Sequence, residues 1–174
     1  AKGTYEDRPE ELNEVTIRPP DAYGALRYLR TRTDVIADHV GLQGWSNGAS
    51  ATLASMVRNA PGLGNPAPES GFRAALAFYP GCGLQGHFKK TYRTYAPLLL
   101  AIGTDDEEVS PQLCRELNET ARHDGNQIEF VLYSGAEHDF DDPGEKKQGV
   151  AANRKAKADS MRRAEAFFAR YLKQ

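Results

Sequence analysis

The most informative segment of this 174-residue sequence is HVGLQGWSNGAS, residues 39–50. Residues 39–43 have the short pattern of a buried strand, and the small residues after position 48 favour a tightly packed helix. Between them stands Gly44-Trp45-Ser46-Asn47-Gly48, a G-x-S-x-G pattern. A serine in this context lies on a sharp strand-to-helix turn, which lifts its hydroxyl clear of the sheet. Gly44 and Gly48 supply the small flanking positions that we expect this turn to need.

Two interpretations of this pattern stay open at the level of the pentapeptide. Gly and Ser are common in turns, so the same five residues also fit a glycine-rich turn with an ordinary serine. If Ser46 is a nucleophile, the backbone N–H of Asn47 lies at the N-terminus of the next helix. There it is predicted to hold part of an oxyanion.

The rest of the chain alternates apolar strands with amphipathic helices. Further strands are predicted over residues 72–79, 97–102 and 128–133, and helices over 21–32, from 111 and from about 150. This order indicates an α/β fold with a mostly parallel sheet and helices on both of its faces. Residues 1–20 are predicted to be an extended segment, residues 59–71 a loop, and residues 21–174 a single domain.

A serine nucleophile needs a base, and the base needs an acid that orients it. His138 is one of four histidines and comes just after the fourth predicted strand. Asp105 and Asp106 follow the third predicted strand. Because parallel strands end at one edge of a sheet, Ser46, one of these two aspartates and His138 are expected to meet there. Their order along the chain, Ser-Asp-His, is the order of α/β-hydrolases.

Composition excludes several other classes of protein. A formal net charge of −2 lacks the basic excess that is usual in nucleic-acid-binding proteins. The longest apolar run, residues 96–103, is far shorter than the roughly 20 residues of a membrane span. We therefore expect no nucleic-acid partner and no membrane partner. No targeting segment is visible, so the compartment stays open between the cytoplasm and a periplasmic or secreted location.

The sequence resembles the dienelactone hydrolase family of α/β-hydrolases from about Arg18 onward. The stretches that carry the resemblance are residues 21–26 (DAYGAL), 44–48 (GWSNG), 77–82 (AFYPGC), 97–103 (PLLLAIG) and 133–140 (YSGAEHDF). The family places its acid three residues after a strand-ending glycine, which here is Gly103. The resemblance therefore implies that Asp106 is the acid and that Asp105, Glu107 and Glu108 are turn or solvated residues.

This resemblance also implies an activity, with two departures from the family. The founding members use a cysteine nucleophile, and Ser46 in its place favours small carboxylic esters or lactones, cleaved through an acyl-enzyme without a cofactor. Only 20 residues precede the matched region, too few for the usual N-terminal strands and for the loop that supplies a second oxyanion donor. We expect a fragment, a chain whose sheet is completed by a second copy, or an inactive remnant. The alternative function is a catalytically silent domain used in binding or assembly.

A few further residues have open interpretations. Trp45 and Tyr79 are candidates for the wall of a substrate pocket, or for ordinary packing over the core. Cys82 and Cys114 form either one disulfide, which would favour an oxidising compartment, or two buried thiols. The acidic residues around His138 have no metal-ligand spacing, so no metal site is predicted.

Overall fold

The computed structural model of the chain describes residues 13–58, 60, 70–126 and 128–173. Residues 1–12 of the predicted extended segment lie outside this range, as do ten of the thirteen residues of the predicted loop at 59–71. Residues 18–20 belong to the first helix instead of the extended segment.

A parallel four-stranded sheet forms the centre of the described structure. Its strands follow one another in sequence order, β1-β2-β3-β4. They are β1 (Gly41–Trp45), β2 (Ala74–Phe78), β3 (Leu98–Gly103) and β4 (Ile128–Tyr133). Every residue of β2 and β3 is buried, as expected for the central strands of a sheet covered on both sides. The predicted α/β fold is confirmed.

Helices connect and cover these strands. They are α1 (Arg18–Arg30), α2 (Asn47–Ser55), α3 (Pro111–His123), α4 (Glu145–Gly149) and α5 (Ala151–Leu172). A Cβ added at Gly41 would touch Phe168 of α5, whereas one added at Gly44 would touch Thr52 of α2. Positions an odd number apart on a strand face opposite sides. Helices α2 and α5 therefore cover opposite faces of the sheet.

The beginnings of two helices show how local sequence sets their bounds. Helix α3 begins as predicted, with the Ser110 hydroxyl accepting the N–H of Leu113 at 3.3 Å and Pro111 as its first residue. Helix α1 begins earlier than predicted. Pro19 and Pro20 fit its first turn, which also contains Asp21, the residue at which the sequence predicted the helix to begin.

Two large apolar side chains on helices α3 and α5 are exposed. Leu113 in α3 is 41% exposed and Met161 in α5 is 57% exposed. The buried face of α3 is carried by Cys114, Leu117 and Ala121, so the first turn meets the core one residue later than the apolar spacing indicated. The buried face of α5 includes the polar residues Asn153 and Ser160, which a search for apolar periodicity passes over.

None of the helices within the described residues combines the length and apolar character needed to cross a membrane. All strands run in one direction, so their carboxyl ends meet at a single edge of the sheet. The loops after β1, β3 and β4 carry Ser46, Asp106 and His138 at this edge.

Candidate active site

Ser46 occupies a strained turn between β1 and α2. Its φ of 49° and ψ of −120° lie in a region that side chains other than glycine rarely adopt. The turn is fixed by the Ser46 N–H, which donates to the carbonyl of Phe78 at 3.0 Å. A Cβ at Gly44 would lie 2.2 Å from the Gly48 carbonyl oxygen, so this position must be glycine. Gly48 differs from our expectation, because a Cβ there would meet no described atom within 4 Å.

His138 lies in the loop after β4 and contacts the serine directly. Its Nε2 is 2.9 Å from Ser46 Oγ. The loop packs tightly on the end of β3, where a Cβ added at Gly103 would be 2.0 Å from the Ala136 carbonyl oxygen. The absence of a side chain at Gly103 therefore lets the histidine loop lie against the end of β3, three residues before Asp106.

Asp106 is the aspartate that contacts this histidine. Its carboxylate oxygens are 2.9 and 3.0 Å from His138 Nδ1, and both side chains are almost wholly buried. The carboxylate also accepts the backbone N–H groups of Glu108 and Val109. Asp105 is exposed and accepts only the Thr104 hydroxyl among the described side chains. An ionised carboxylate can only accept a hydrogen bond, so Nδ1 carries the proton of the neutral imidazole. The lone pair is then on Nε2, which faces the Ser46 hydroxyl.

Electrostatics around His138 favour its charged form. Burial lowers the pKa of His138, but the hydrogen bond and charge of Asp106, with the charges of Asp139 and Glu108, outweigh burial and raise the pKa above its ordinary value of 6.5. Glu108 Oε2 and Asp139 Oδ1 lie 3.5 and 3.9 Å from Nε2. An imidazolium formed at this position would therefore be stabilised by several carboxylates.

A cleft of about 300 Å³ opens beside these residues. Trp45 and Tyr79 line it together with Asp139, Asp141, Asp142 and Pro143. The Tyr79 ring lies edge-on to the His138 imidazole, with centroids 4.7 Å apart. Burial first, and then the hydrogen bond to Asp141, raises the pKa of Tyr79, so its hydroxyl stays protonated.

Asp141 is a cleft residue whose role the sequence pattern did not indicate. It accepts the Tyr79 hydroxyl at 2.6 Å and the Trp45 indole N–H at 3.0 Å, fixing both aromatic rings. Glu107 is exposed, as the interpretation as a solvated residue expects, but it also makes a contact that the sequence did not indicate. Its carboxylate accepts the His138 backbone N–H at 3.0 Å. Neither contact leaves a sequence signal, since each depends on how a loop folds back.

Asn47 is the first residue of α2, directly after Ser46. The first N–H groups of a helix have no partner within the helix. Among the described residues, no acceptor binds the Asn47 N–H. Its side-chain Nδ2 donates to Glu14 Oε2 at 3.5 Å.

Two further sequence expectations concern cysteine and metal. Cys82, in the loop after β2, is joined to Cys114 in the first turn of α3 by a disulfide, so these two buried residues hold no free thiol. Within the described part of the chain, Glu108, His138 and Asp139 each place one potential metal ligand within 4.8 Å of the others. Glu108 is exposed, Asp139 is half-buried, and His138 Nε2 already contacts Ser46. The absence of a metal site stays a prediction.

A parallel α/β sheet with a strained serine turn, and with histidine and aspartate on later loops of the same edge, defines an α/β-hydrolase. The chain belongs to the dienelactone hydrolase family, whose model matches residues 14–172. No curated protein sequence matches the chain.

Solved structures with the same fold include an esterase from the Planctomycetes species Thermogutta terrifontis, with a TM-score of 0.64 and 20% identity over 89% of this chain and 65% of that one. The same esterase phosphorylated by paraoxon gives a TM-score of 0.64 and 21% identity, over 91% and 67%. Dipeptidyl peptidase 4 from Porphyromonas gingivalis gives a TM-score of 0.60 and 20% identity, over 84% of this chain and 23% of that one. The chain thus spans about two thirds of the esterase and less than a quarter of the peptidase.

Proposed function

We propose that this protein is a serine hydrolase that cleaves small carboxylic esters or lactones. The observation that carries the proposal is the continuous contact from Ser46 Oγ through the His138 imidazole to Asp106, at 2.9 Å on both sides of the ring. A serine hydroxyl is a weak nucleophile until a base takes its proton, and this contact supplies the base together with the acid that orients it.

In the proposed mechanism, Ser46 Oγ attacks the ester carbonyl while His138 Nε2 takes its proton. Asp106 holds the Nδ1 proton and stabilises the imidazolium. The tetrahedral intermediate collapses to an acyl-enzyme as His138 returns the proton to the leaving alcohol. Water then attacks the acyl group by the same route, and the acid leaves with Ser46 restored.

The Asn47 backbone N–H is the proposed donor to the oxyanion. Support comes from its place at the start of α2 and from its lack of an acceptor among the described residues. Trp45 and Tyr79 are the proposed wall of the substrate site, since both line the cleft beside His138. Each donor to an oxyanion is worth about 10²–10³ in rate.

Hydrolysis of a short-chain p-nitrophenyl ester tests the proposal. The wild-type chain is expected to hydrolyse the ester, whereas Ser46→Ala and His138→Gln are each expected to lose about 10⁴-fold or more in kcat. Ser134→Ala, an exposed serine of the loop that carries His138, is the matched control and is expected to keep full activity. A folded wild-type chain without ester hydrolysis would favour the alternative, a silent domain used in binding or assembly.

A further inference from the structure

His138 depends on a loop for its position. It lies five residues beyond the end of β4, and Asp139 next to it has a φ of 52°, in the left-handed region. Hydrogen bonds at the two ring nitrogens fix the imidazole only if the backbone that carries it is itself held in place. The structure contains a second set of contacts that hold this backbone.

Glu107 is the first member of this set. One of its carboxylate oxygens accepts the His138 backbone N–H at 3.0 Å, and the other accepts Lys147 Nζ at 2.8 Å. Because Glu107 directly follows Asp106, the acid loop and the histidine loop are joined twice, once through the side chain of His138 and once through its backbone. The Lys147 ammonium first, and then the His138 N–H, lowers the pKa of Glu107 to about 2. The acceptor therefore stays ionised at neutral pH.

Asn153 anchors the other side of the loop. It is fully buried in the first turn of α5. Its Oδ1 accepts the Glu137 N–H at 2.9 Å, and its Nδ2 donates to Glu137 Oε2 and to the Lys147 carbonyl, both at 3.1 Å. Lys147 closes the set with a 3.3 Å contact to Glu137 Oε2. Both polar atoms of this buried amide thus form hydrogen bonds, with the histidine loop and with α4. A buried polar network whose groups are all hydrogen-bonded is rigid.

We propose that Glu107, which pairs with Lys147 while Asn153 binds the Lys147 carbonyl, is a positioning residue that keeps the His138 imidazole aligned between Ser46 and Asp106. This inference rests on the proposed hydrolase function. An exposed ion pair such as Glu107–Lys147 contributes little to folding stability. The backbone contact to His138 instead gives Glu107 a direct effect on where the base lies, and small displacements of a catalytic group carry large costs in rate.

Paired substitutions at Glu107 test this role. Glu107→Ala removes the acceptor of the His138 N–H and is expected to lower kcat by about 10- to 100-fold with KM nearly unchanged. Glu107→Gln keeps a carbonyl oxygen for that N–H and is expected to restore most of kcat. Glu145→Ala, an exposed glutamate at the start of α4, is the matched control and is expected to match the wild type.

The melting temperature and fluorophosphonate labelling complete the experiment. We expect all three variants to melt close to the wild type, and the alanine variant alone to label slowly. The inference is overturned if Glu107→Ala keeps wild-type kcat, or if the alanine and glutamine variants lose kcat equally. A wild-type chain that neither labels nor hydrolyses esters would instead overturn the proposed function itself, so the two failures are distinguishable.

Discussion

At the scale of single residues, the two glycines that flank Ser46 differ in whether a side chain fits at their positions. Gly44 and Gly48 look equivalent in the G-x-S-x-G pattern, yet only Gly44 is in close contact, with the Gly48 carbonyl. The pattern therefore identified the turn correctly but assigned the steric constraint to one glycine too many. The sequence pattern does not carry this distinction, because it depends on the direction in which a Cβ at each position would point.

Substitution of these two glycines gives a matched prediction. Gly44→Ala is expected to lower the free energy of unfolding by about 3 kcal/mol or more, since its Cβ would overlap backbone. Gly48→Ala lies within a helix and is expected to be neutral or stabilising by up to about 1 kcal/mol. Urea unfolding of both variants measures the difference. Equal destabilisation by the two substitutions would contradict the described turn.

The pH dependence of activity follows from His138. The imidazole acts as a base only when neutral, so activity is lost as pH falls through its pKa, which Asp106 and its acidic neighbours raise above 6.5. We expect kcat/KM to rise with pH to a plateau, with an apparent pKa above 6.5. A profile that is flat from pH 5 to 9, or that falls with rising pH over this range, would contradict the assignment of His138 as the base.

Substitution of Asp106 and of Asp105 tests which of these two neighbouring aspartates acts on His138. Asp106→Asn removes the negative charge next to His138 Nδ1 but leaves the imidazole buried. The apparent pKa of His138 is therefore expected to fall, and kcat is expected to drop by about 10⁴-fold. Asp105→Asn, on the exposed residue next to it, is the control and is expected to leave kcat and the pH profile unchanged. Steady-state kinetics over a pH series measures both variants.

At the scale of elements, strand positions were the most predictable feature. The apolar run at 128–133 matches β4 residue for residue, because a strand bounded by polar turns has little freedom of register. β1 begins two residues later than predicted, since its ends are set by pairing with β2 and not by hydrophobicity. Helix α4 was not predicted at all, because its five residues are polar and none of them is buried.

The disulfide joins two elements at the carboxyl edge of the sheet. Cys82 and Cys114 are 32 residues apart, and closing a loop of this size stabilises a fold by about 2–4 kcal/mol. Replacing both cysteines by serine is expected to lower the free energy of unfolding by this amount. Neither cysteine touches the Ser46–His138–Asp106 contacts, so kcat below the melting range is expected to stay within about twofold of the wild type. Unchanged stability in denaturant would contradict the described linkage.

At the scale of the whole molecule, the edge of the sheet that carries the site is acidic. Glu108, Asp139, Asp141 and Asp142 lie beside His138 or line the adjoining cleft, and among the described residues none of them forms an ion pair with Lys or Arg. Lys147 is engaged with Glu107 and Glu137. The field at the cleft is therefore negative.

This field predicts a preference among substrates. Esters with a neutral or cationic alcohol group are expected to have a kcat/KM about 10-fold higher than anionic esters of similar size at low salt. Because exposed charges are screened, the ratio is expected to shrink as ionic strength rises from 0.01 to about 1 M. Kinetics with a matched neutral and anionic ester pair measures the ratio. Faster cleavage of the anionic ester would contradict this account of the cleft.

The sequence predicted the site best where a candidate reactive residue follows a strand. Ser46, Asp106 and His138 could be found because each follows a strand, and parallel strands end together. Asp141 and Glu107 could not be found, because their contacts run between loops whose paths leave no periodic pattern. The supporting contacts of a site are thus harder to predict than its reactive groups.

Covalent labelling tests the central claim most directly. The folded chain is treated with a fluorophosphonate, digested, and its peptides are weighed by mass spectrometry. We predict one adduct, on Ser46, which is absent in Ser46→Ala and forms far more slowly in Asp106→Asn. A folded wild-type chain that carries no adduct, or that carries it on another serine such as Ser50, would contradict the claim that Ser46 is an activated nucleophile.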